Sequence, residues 1–390
     1  MKKPEFINEM VKEAKRIVDT RSLMLITVVV PPILFFLFAY IYQSALVRQI
    51  PISIIDHDNS VISRTAITSF GASPSFTIKT YYASLEEAKA GLISGEVDGI
   101  VFIPKNFERD IKKRRQVHPV IFANGINVIK SNYIMSDATK IFKMISGGVL
   151  LKKFRSSGMT ETQAMEIINP VRYDFQTLYN SNYSYVDFLV PSLCVFVIFM
   201  SLSLAGATVF NHEKIDAGVL TSQIKFPVGS VFGRLLPYVL ISAADAMVMI
   251  GLIFPIFSIT MRGSAFELML FTFIFGITSV LLGMVVSAII KNLMMATQVI
   301  LFFTTPAFVF SGLTYPIWAM PGTHQIFANM IPYTHFLDGF IRIYLMGESL
   351  GELGMPLNLL VGGTLISFGL LVLILKFQSV WHLRKVGAKV

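Results

Sequence analysis

Charged side chains make up only 15% of this chain, so the few that could do chemistry stand out. The densest group is in VFNHEKIDAGVLTSQIKFPVGSVFGRLLPY, residues 209–238, a brief polar insert between two long apolar runs. Glu213, Lys214 and Asp216 open a short polar helix, Gly218 allows another backbone to come close, and Phe226-Pro227 ends it. Gly229, Gly233 and Arg234 lead into the next apolar run. A short helix tied at both ends to membrane spans suits the transfer of a push from a partner; an ordinary polar loop is the alternative. A second chemical feature is Asp245, alone in an apolar run, where an ionised group costs at least ~2.5–3.5 kcal/mol and usually faces the bundle interior. It is read either as a contact for a cationic or polar group or a proton, or as a hydrogen-bonded carboxyl with Gln298 or a serine as partner. A third is Asp56-His57-Asp58-Asn59, with the donor types of a metal site. Consecutive residues on an extended chain point in opposite directions and no second ligand cluster appears, so turn and helix-cap duty is the favoured reading.

Enzyme signatures are missing. The chain has no G-x-x-x-x-G-K-[ST] phosphate cradle, no G-x-S-x-G, no H-E-x-x-H and no C-x-x-C. His212, His324 and His335 are scattered, and the single cysteine, Cys194, lies inside an apolar run and excludes an intrachain disulfide. The reading is a non-enzymatic chain that binds no metal and no cofactor.

The elements that position these residues are membrane spans. The 390 residues are 54% hydrophobic with a mean hydropathy of +0.64, and several runs reach the roughly 20 apolar residues that cross a bilayer. The net charge of +9 is explained by lysines and arginines beside the spans, so no nucleic-acid partner is inferred. Six spans are expected at about 23–43, 187–209, 234–259, 266–290, 294–312 and 356–377. The first, LMLITVVVPPILFFLFAYIY, invites a signal-peptide reading, but its apolar region is too long and an amphipathic lead precedes it. Short basic segments (1–22, 210–233, Lys291 and the tail from Trp381) all fall on one side, which the positive-inside rule makes the cytoplasm. Both termini are then cytoplasmic and residues 44–186 extracytoplasmic.

Residues 1–22 read as an amphipathic helix in the cytoplasmic interface, with Phe6, Ile7, Met10, Val11, Ala14, Ile17 and Val18 on one face and lysines, Glu9 and Glu13 on the other. Packing on a partner protein is an equal alternative. Segment 44–186 alternates strand and helix signals: strands at PISIIDHD, SFTIKTYY, DGIVFIP and HPVIFAN, and helices at 59–71, at 84–97 with a Ser84/Glu87 capping box, at 106–116, and over about 128–169. The run Lys112-Lys113-Arg114-Arg115 reads as a solvated helix end, with anionic headgroups or a partner as the alternative. Residues 310–347 are too broken by Gly312, Pro316, Pro321 and Pro332 to span and too apolar for a free loop. Irregular backbone survives at membrane depth only when buried in protein or lining a cavity, so this segment reads as a re-entrant hairpin. It carries interfacial Tyr315, Trp318 and Tyr333, is followed by an outer helix bearing Arg342, and forms an outer lid. The fold class is therefore an α-helical integral membrane protein, with six transmembrane helices, an extracytoplasmic α/β domain and a re-entrant outer hairpin.

With these residues assembled, the chain resembles the membrane subunits of type-2 ABC exporters, in their bacterial multidrug or lipid branch. The likeness covers nearly the whole chain. It includes IDHDNSVISR, GEVDGIVFIPKNFERDI, LYNSNYSYVDFLVPS, HEKIDAGVLTSQIKFPVGSVFGRLLPY, MRGSAFEL and the S-G-x-x-Y-P…M-P…P…R…G run of 311–347. The chain departs from the pattern at Val219, Thr221 and Phe226, and at Ser192-Leu193-Cys194. The resemblance implies a permease in the bacterial plasma (inner) membrane, working as a dimer of identical chains or of two paralogues. Separate cytoplasmic ABC ATPase subunits would hold ATP and Mg, and a periplasmic adaptor would join only where an outer membrane exists. It makes 210–230 the coupling helix, with Glu213, Lys214, Asp216, Gly218, Lys225, Pro227, Gly229 and Arg234 coupling to the ATPase. It implies a central pathway for a hydrophobic or amphiphilic cargo, lined from spans two and five by residues such as Phe196, Phe199, Phe302, Phe303 and Phe308; the residue reading adds Asp245 and Gln298 to that pathway and an outer gate of Gly312, Tyr315, Pro316, Pro321, Pro332 and Arg342. The other reading is a membrane-anchored receptor or scaffold whose 44–186 domain binds an extracytoplasmic partner. That reading explains neither Asp245 nor the broken 310–347 segment. An ion-coupled transporter would lean on Asp245 alone, and internal repeats of the usual kind are absent.

Overall fold

A computed structural model describes residues 5–43, 48–113, 115–171, 176–180, 184–211 and 227–387; for Glu5, Tyr185, Pro227 and 381–387 it describes the backbone only. The chain divides into two compact units, Leu46–Gln176, and Met1–Ala45 together with Thr177–Val390.

The second of these units opens with helix α1 (Glu5–Asp19). Six helices in it are long and apolar enough to cross a bilayer: Arg21–Tyr42, Val186–Gly206, Val228–Ile256, Ala265–Ile289, Leu293–Phe310 and Met355–Val380. The fourth of these spans is the hub, packing on the second, third and sixth. Lipid is as apolar as leucine, so helices in a bilayer are held by close packing rather than by exclusion of water, and small residues let backbones meet. Gly206 in the second span and Gly283 in the fourth meet in this way: a Cβ on either would run into the backbone of the other helix. Gly276 instead makes room for a side chain, that of Ser242 of the third span. Prolines explain the irregular turns. Pro31 and Pro32 follow a π-helical turn over Leu25–Val29, and Pro255 follows another over Met249–Ile253. Each proline lacks the N–H that the preceding turn would bond, and a wider turn absorbs the mismatch.

The unit Leu46–Gln176 is an α/β domain. Strands β1 (Ile50–Asp56), β2 (Phe76–Tyr81), β3 (Gly99–Ile103) and β4 (Val120–Ala123) form one sheet in the order β2-β1-β3-β4. β1 runs parallel to β2 and β3, and β4 is antiparallel to β3. The crossovers are α2 (Val61–Ala72) and α3 (Leu85–Ser94), and α4 (Phe107–Lys112) leads to β4. α5 (Val128–Ser156) then lays Ile134, Ala138, Ile141 and Ile145 into a core with Ile50, Ile52, Ile54, Phe70 and Val101. Their spacing of three and four residues is a single helical stripe, and each fully buried isoleucine or phenylalanine contributes about 1.5–3 kcal/mol.

Three local expectations are corrected. The helical region over 128–169 breaks at Gly158 (φ 89°), and α6 (Glu161–Ile168) begins anew with a Thr160/Gln163 capping box. The Ser84/Glu87 box forms only in half: Ser84 accepts from the Glu87 amide at 3.2 Å, and Glu87 gives no bond back. The helix expected over 106–116 stops at Lys112. The Asp-His-Asp-Asn run is a cap and turn, as the sequence favours. Asp56 accepts from the amides of Asp58 and Asn59 and from the Ser63 hydroxyl at 2.7 Å, and Asp58 accepts from the Glu108 amide.

Candidate functional site

The residues flanking the polar insert converge on α1. A Cβ at Gly233 would meet the backbone of Phe6 and the side chain of Glu9, so glycine there lets α1 lie directly on the third span. Arg234, only 2% exposed, donates from Nε to Glu9 Oε2 at 2.8 Å and stacks its guanidinium 4.9 Å from the Phe210 ring centre. Two helical turns along α1 from Glu9, Arg16 donates to the Thr208 carbonyl at 2.8 Å, to Thr208 Oγ1 at 3.1 Å, to the Tyr238 hydroxyl at 2.7 Å and to Glu13 at 2.9 Å. Tyr238 in turn donates to Glu13 Oε1 at 2.7 Å. The Phe210 amide donates to Ser287 Oγ of the fourth span at 2.8 Å. α1 therefore grips both flanks of residues 212–226, with Thr208 before them and Arg234 and Tyr238 after them.

The packed face of α1 runs through Glu9, Glu13, Arg16 and Ile17, while Phe6, Val11 and Val18 of its apolar face are exposed. A buried arginine such as Arg234 is tolerable only when paired, and that need outranks the apolar count of the helix. Of the insert itself, Glu213, Lys214, Asp216, Gly218 and Lys225 lie outside the described residues. Pro227 is the first residue of the third-span helix, where its missing N–H has no helical partner to lose, and Gly229 follows in the same turn. Sequence reasoning found Arg234 but missed Glu9, Glu13, Arg16, Thr208, Phe210 and Tyr238. The available signal was the spacing of Glu9, Glu13 and Arg16, which puts acid, acid and base on one helical face.

Asp245 is buried in the third span at 3% exposure, and its Oδ2, like Ser242 Oγ one turn earlier, has no hydrogen-bond partner among the described residues. The expected partner Gln298 lies exposed on the fifth span and makes no hydrogen bond with it. The phenylalanines divide into two groups. Phe196 packs on Phe308 (5.2 Å between ring centres) and on Tyr333 (5.5 Å). Phe199 is fully buried and stacked between Phe275 and Tyr333, so within one protomer it faces the core and not an open path. Phe303 meets Phe327 edge to face, and its neighbour Phe302 on the fifth span is 85% exposed.

Beyond the fifth span, Gly312 takes φ 88° and turns the chain, and Pro316 opens a single 3-10 turn over Ile317–Ala319. Pro321 precedes α7 (Gly322–Met330), and Pro332 is the first residue of α8 (Pro332–Ile341). α8 is buried: Phe336 stacks on Phe275 at 3.9 Å, and Tyr333 donates to the Ser192 carbonyl at 2.9 Å. Tyr333 is thus a core residue, contrary to its expected interfacial place, whereas Tyr315 and Trp318 are exposed. Arg342 sits in a π-helical turn that continues α8. It grips Glu348 with Nε at 2.7 Å and a terminal nitrogen at 2.5 Å, and donates to the Leu353 carbonyl at 3.2 Å. The Glu348 hydrogen bonds raise the guanidinium pKa further above its ordinary value. Gly312, Pro316, Trp318, His335, Asp338 and Arg342 line a cavity of about 590 Å³.

A second cavity in this unit, of about 450 Å³, lies between the first, second and fifth spans. Arg16, Thr20, Ser22 and Thr297 form its polar end, and Leu23, Ile26 and Leu301 its apolar walls. Among the described residues no group of three or more His, Cys, Asp or Glu side chains could hold a metal.

Comparison with known proteins accords with this architecture. The family model described as "ABC-2 family transporter protein" matches residues 21–373. The "Probable multidrug ABC transporter permease YbhS" of Escherichia coli (strain K12) is 22% identical over 342 residues, covering 87% of this chain and 88% of that one. YbhR of the same organism, also described as a probable multidrug ABC transporter permease, is 23% identical over 336 residues, 85% and 86% of the two chains. The "ABC transporter G family member 20" of Dictyostelium discoideum is 26% identical over 201 residues; that match takes in 49% of this chain but only 27% of the longer relative.

Proposed function

From the premise that this chain belongs to the ABC-2 family of transporter proteins, we propose that it is the permease subunit of an ATP-driven exporter for hydrophobic or amphiphilic molecules. As a multi-pass membrane subunit it leaves ATP hydrolysis to a separate ABC ATPase. In our reading that ATPase docks on residues 210–230 from the cytoplasm. The observation that carries the reading is the grip of α1 on both flanks of that segment: Arg16 on Thr208, and Glu9 on Arg234.

A push on a free loop is lost in bending, whereas a push on a braced loop moves what braces it. Here the second span, third span and α1 form one polar-linked body below the glycine crossing of Gly206 and Gly283. Movement of the coupling segment would therefore tilt the second and third spans together. It would reach the aromatic stack of Phe196, Phe199, Phe275 and Tyr333, and through Tyr333 the α8 lid and the Arg342 turn. A second permease chain would complete the path, with Phe302 and its exposed neighbours on the fifth span facing it. Asp245, buried and with its Oδ2 unpartnered among the described residues, would meet a polar group of the cargo once the spans part. We place both termini and 210–230 in the cytoplasm of a bacterial inner membrane and the α/β domain outside it.

The test is recovery of the full chain from its host membrane in mild detergent, with ATP hydrolysis assayed in the recovered material. A bound ATPase that is lost from a Glu213→Lys variant supports the reading. Recovery without ATPase, or equal ATPase with the variant, overturns it.

A further inference from the structure

The α/β domain contains a cavity that transport through the spans does not use. It measures about 590 Å³ and lies between α4, the segment 115–119 and the C-terminal half of α5. Its floor is the domain's own core, where Phe107 and Ile145 are buried. Its walls are half-buried Val149 and Phe154 with Ile111 and Phe142. The charge at its mouth is of one sign: Arg115 and Lys153 both line it, and no carboxylate does. Neither cation forms an ion pair among the described residues, although the neighbouring Lys112 is paired with Glu108, and Lys130 and Lys140 of α5 with Asp98 and Asp137. The remaining open surface of a solvent-facing domain does not require an apolar recess with two unmatched cations at its rim.

We propose that this cavity binds a single-chain anionic amphiphile, its alkyl chain against Ile145, Val149 and Phe154 and its anionic head between Arg115 and Lys153. The volume falls within the roughly 300–1,000 Å³ of pockets that take one small ligand. The apolar walls supply affinity that scales with buried area, and the two cations select the sign of the head. A cationic or uncharged amphiphile of the same length would bury the same surface but leave the rim unmatched. The Lys112-Lys113-Arg114-Arg115 run thereby gains a role in its last member: Arg115 lies past the end of α4, and its amide is held by the Asp110 carbonyl at 2.8 Å. The inference stands on this cavity alone and holds whether or not the bound molecule is also what the spans carry.

The experiment places the purified full chain in phosphatidylcholine nanodiscs with hexadecanoate bearing a diazirine at its far end, and maps the photo-adducts by mass spectrometry. Adducts are expected on residues 142–154, and the double variant Arg115→Glu/Lys153→Glu should lower them about tenfold, the effect of losing ~1.4 kcal/mol of binding. Hexadecanol with the same photo-label should give few adducts there, and adducts within the membrane spans, which any alkyl chain reaches, should not change with the variant. Both variant positions are on the rim, so the domain core is untouched. Absence of adducts on 142–154, equal labelling by hexadecanol, or unchanged labelling in the double variant would each overturn the proposal.

Discussion

Two arginines hold carboxylates at comparable distances and do different work. Arg234 is 2% exposed and bonds Glu9, a residue 225 positions away, while Arg342 is more open and bonds Glu348, six positions on. The first pair joins α1 to the third span; the second closes one turn at Gly347. A charge buried between distant elements has no water to fall back on, so its loss strands the partner. A charge on a local turn can be resolvated where it stands. The contrast separates a linkage between distant elements from one that shapes a single turn.

Arg234→Ala has the largest expected effect. The variant leaves Glu9 without its buried partner and is expected to lose roughly 3–5 kcal/mol of stability, read as thermal unfolding of the full chain in detergent; an unfolding temperature unchanged from wild type would remove the distinction. Next is Gly283→Ala. The added methyl pushes the second and fourth spans apart above the grip of α1 at a cost of about 1–3 kcal/mol, and ATP-driven transport should fall further than stability does. Arg342→Lys sharpens the contrast from the other side: it gives up the two-pronged grip on Glu348 for a point charge and should cost only about 1 kcal/mol. A loss as large as that of Arg234→Ala would make the outer turn a linkage as well.

The smallest effect is in the α/β domain. The Asp58 pKa lies below its ordinary 3.8: burial acts to raise it, and hydrogen bonds from Ser60 and the amides of 106–108 outweigh that. The Glu108 pKa lies below 4.5, chiefly through its hydrogen bond with Lys112. Carboxylates with lowered pKa values add stability that is full above those ordinary values and is lost as the pH falls through the folded ones. Proteolysis of the domain should therefore be constant from pH 7 to 5 and accelerate only below about pH 4; a change centred near pH 6 would contradict this.

How much of this was legible in the sequence follows from how local each cause is. The four strands are short runs of Ile, Val and Phe bounded by turn residues, and all four were found, because alternation and turn chemistry act over a few positions. The six apolar helices were equally plain, since length and hydropathy suffice. The apolar face of α1 was legible, but what its polar face holds was not: nothing near Glu9 or Glu13 in the chain announces Arg234 or Tyr238. Tyr333 and Phe199 failed for the same reason: aromatic residues look alike whether they face lipid, a path or each other, and only the stack on Phe275 decides. Gly158 and Thr160 did carry a break signal inside the 128–169 helix, and the long apolar stripe hid it.

The central claim is that α1 braces the segment through which the ATPase acts, and a double-mutant cycle on Glu9 and Arg234 tests it most directly. Glu9→Gln, Arg234→Gln and the pair would be assayed for ATP-driven transport with the co-purified ATPase, each at equal amounts of folded protein. If the two side chains act as one link, either single variant uncouples hydrolysis from transport and the double variant is no worse than the more damaging single. Effects that simply add, or single variants that transport like the wild type, would contradict the account.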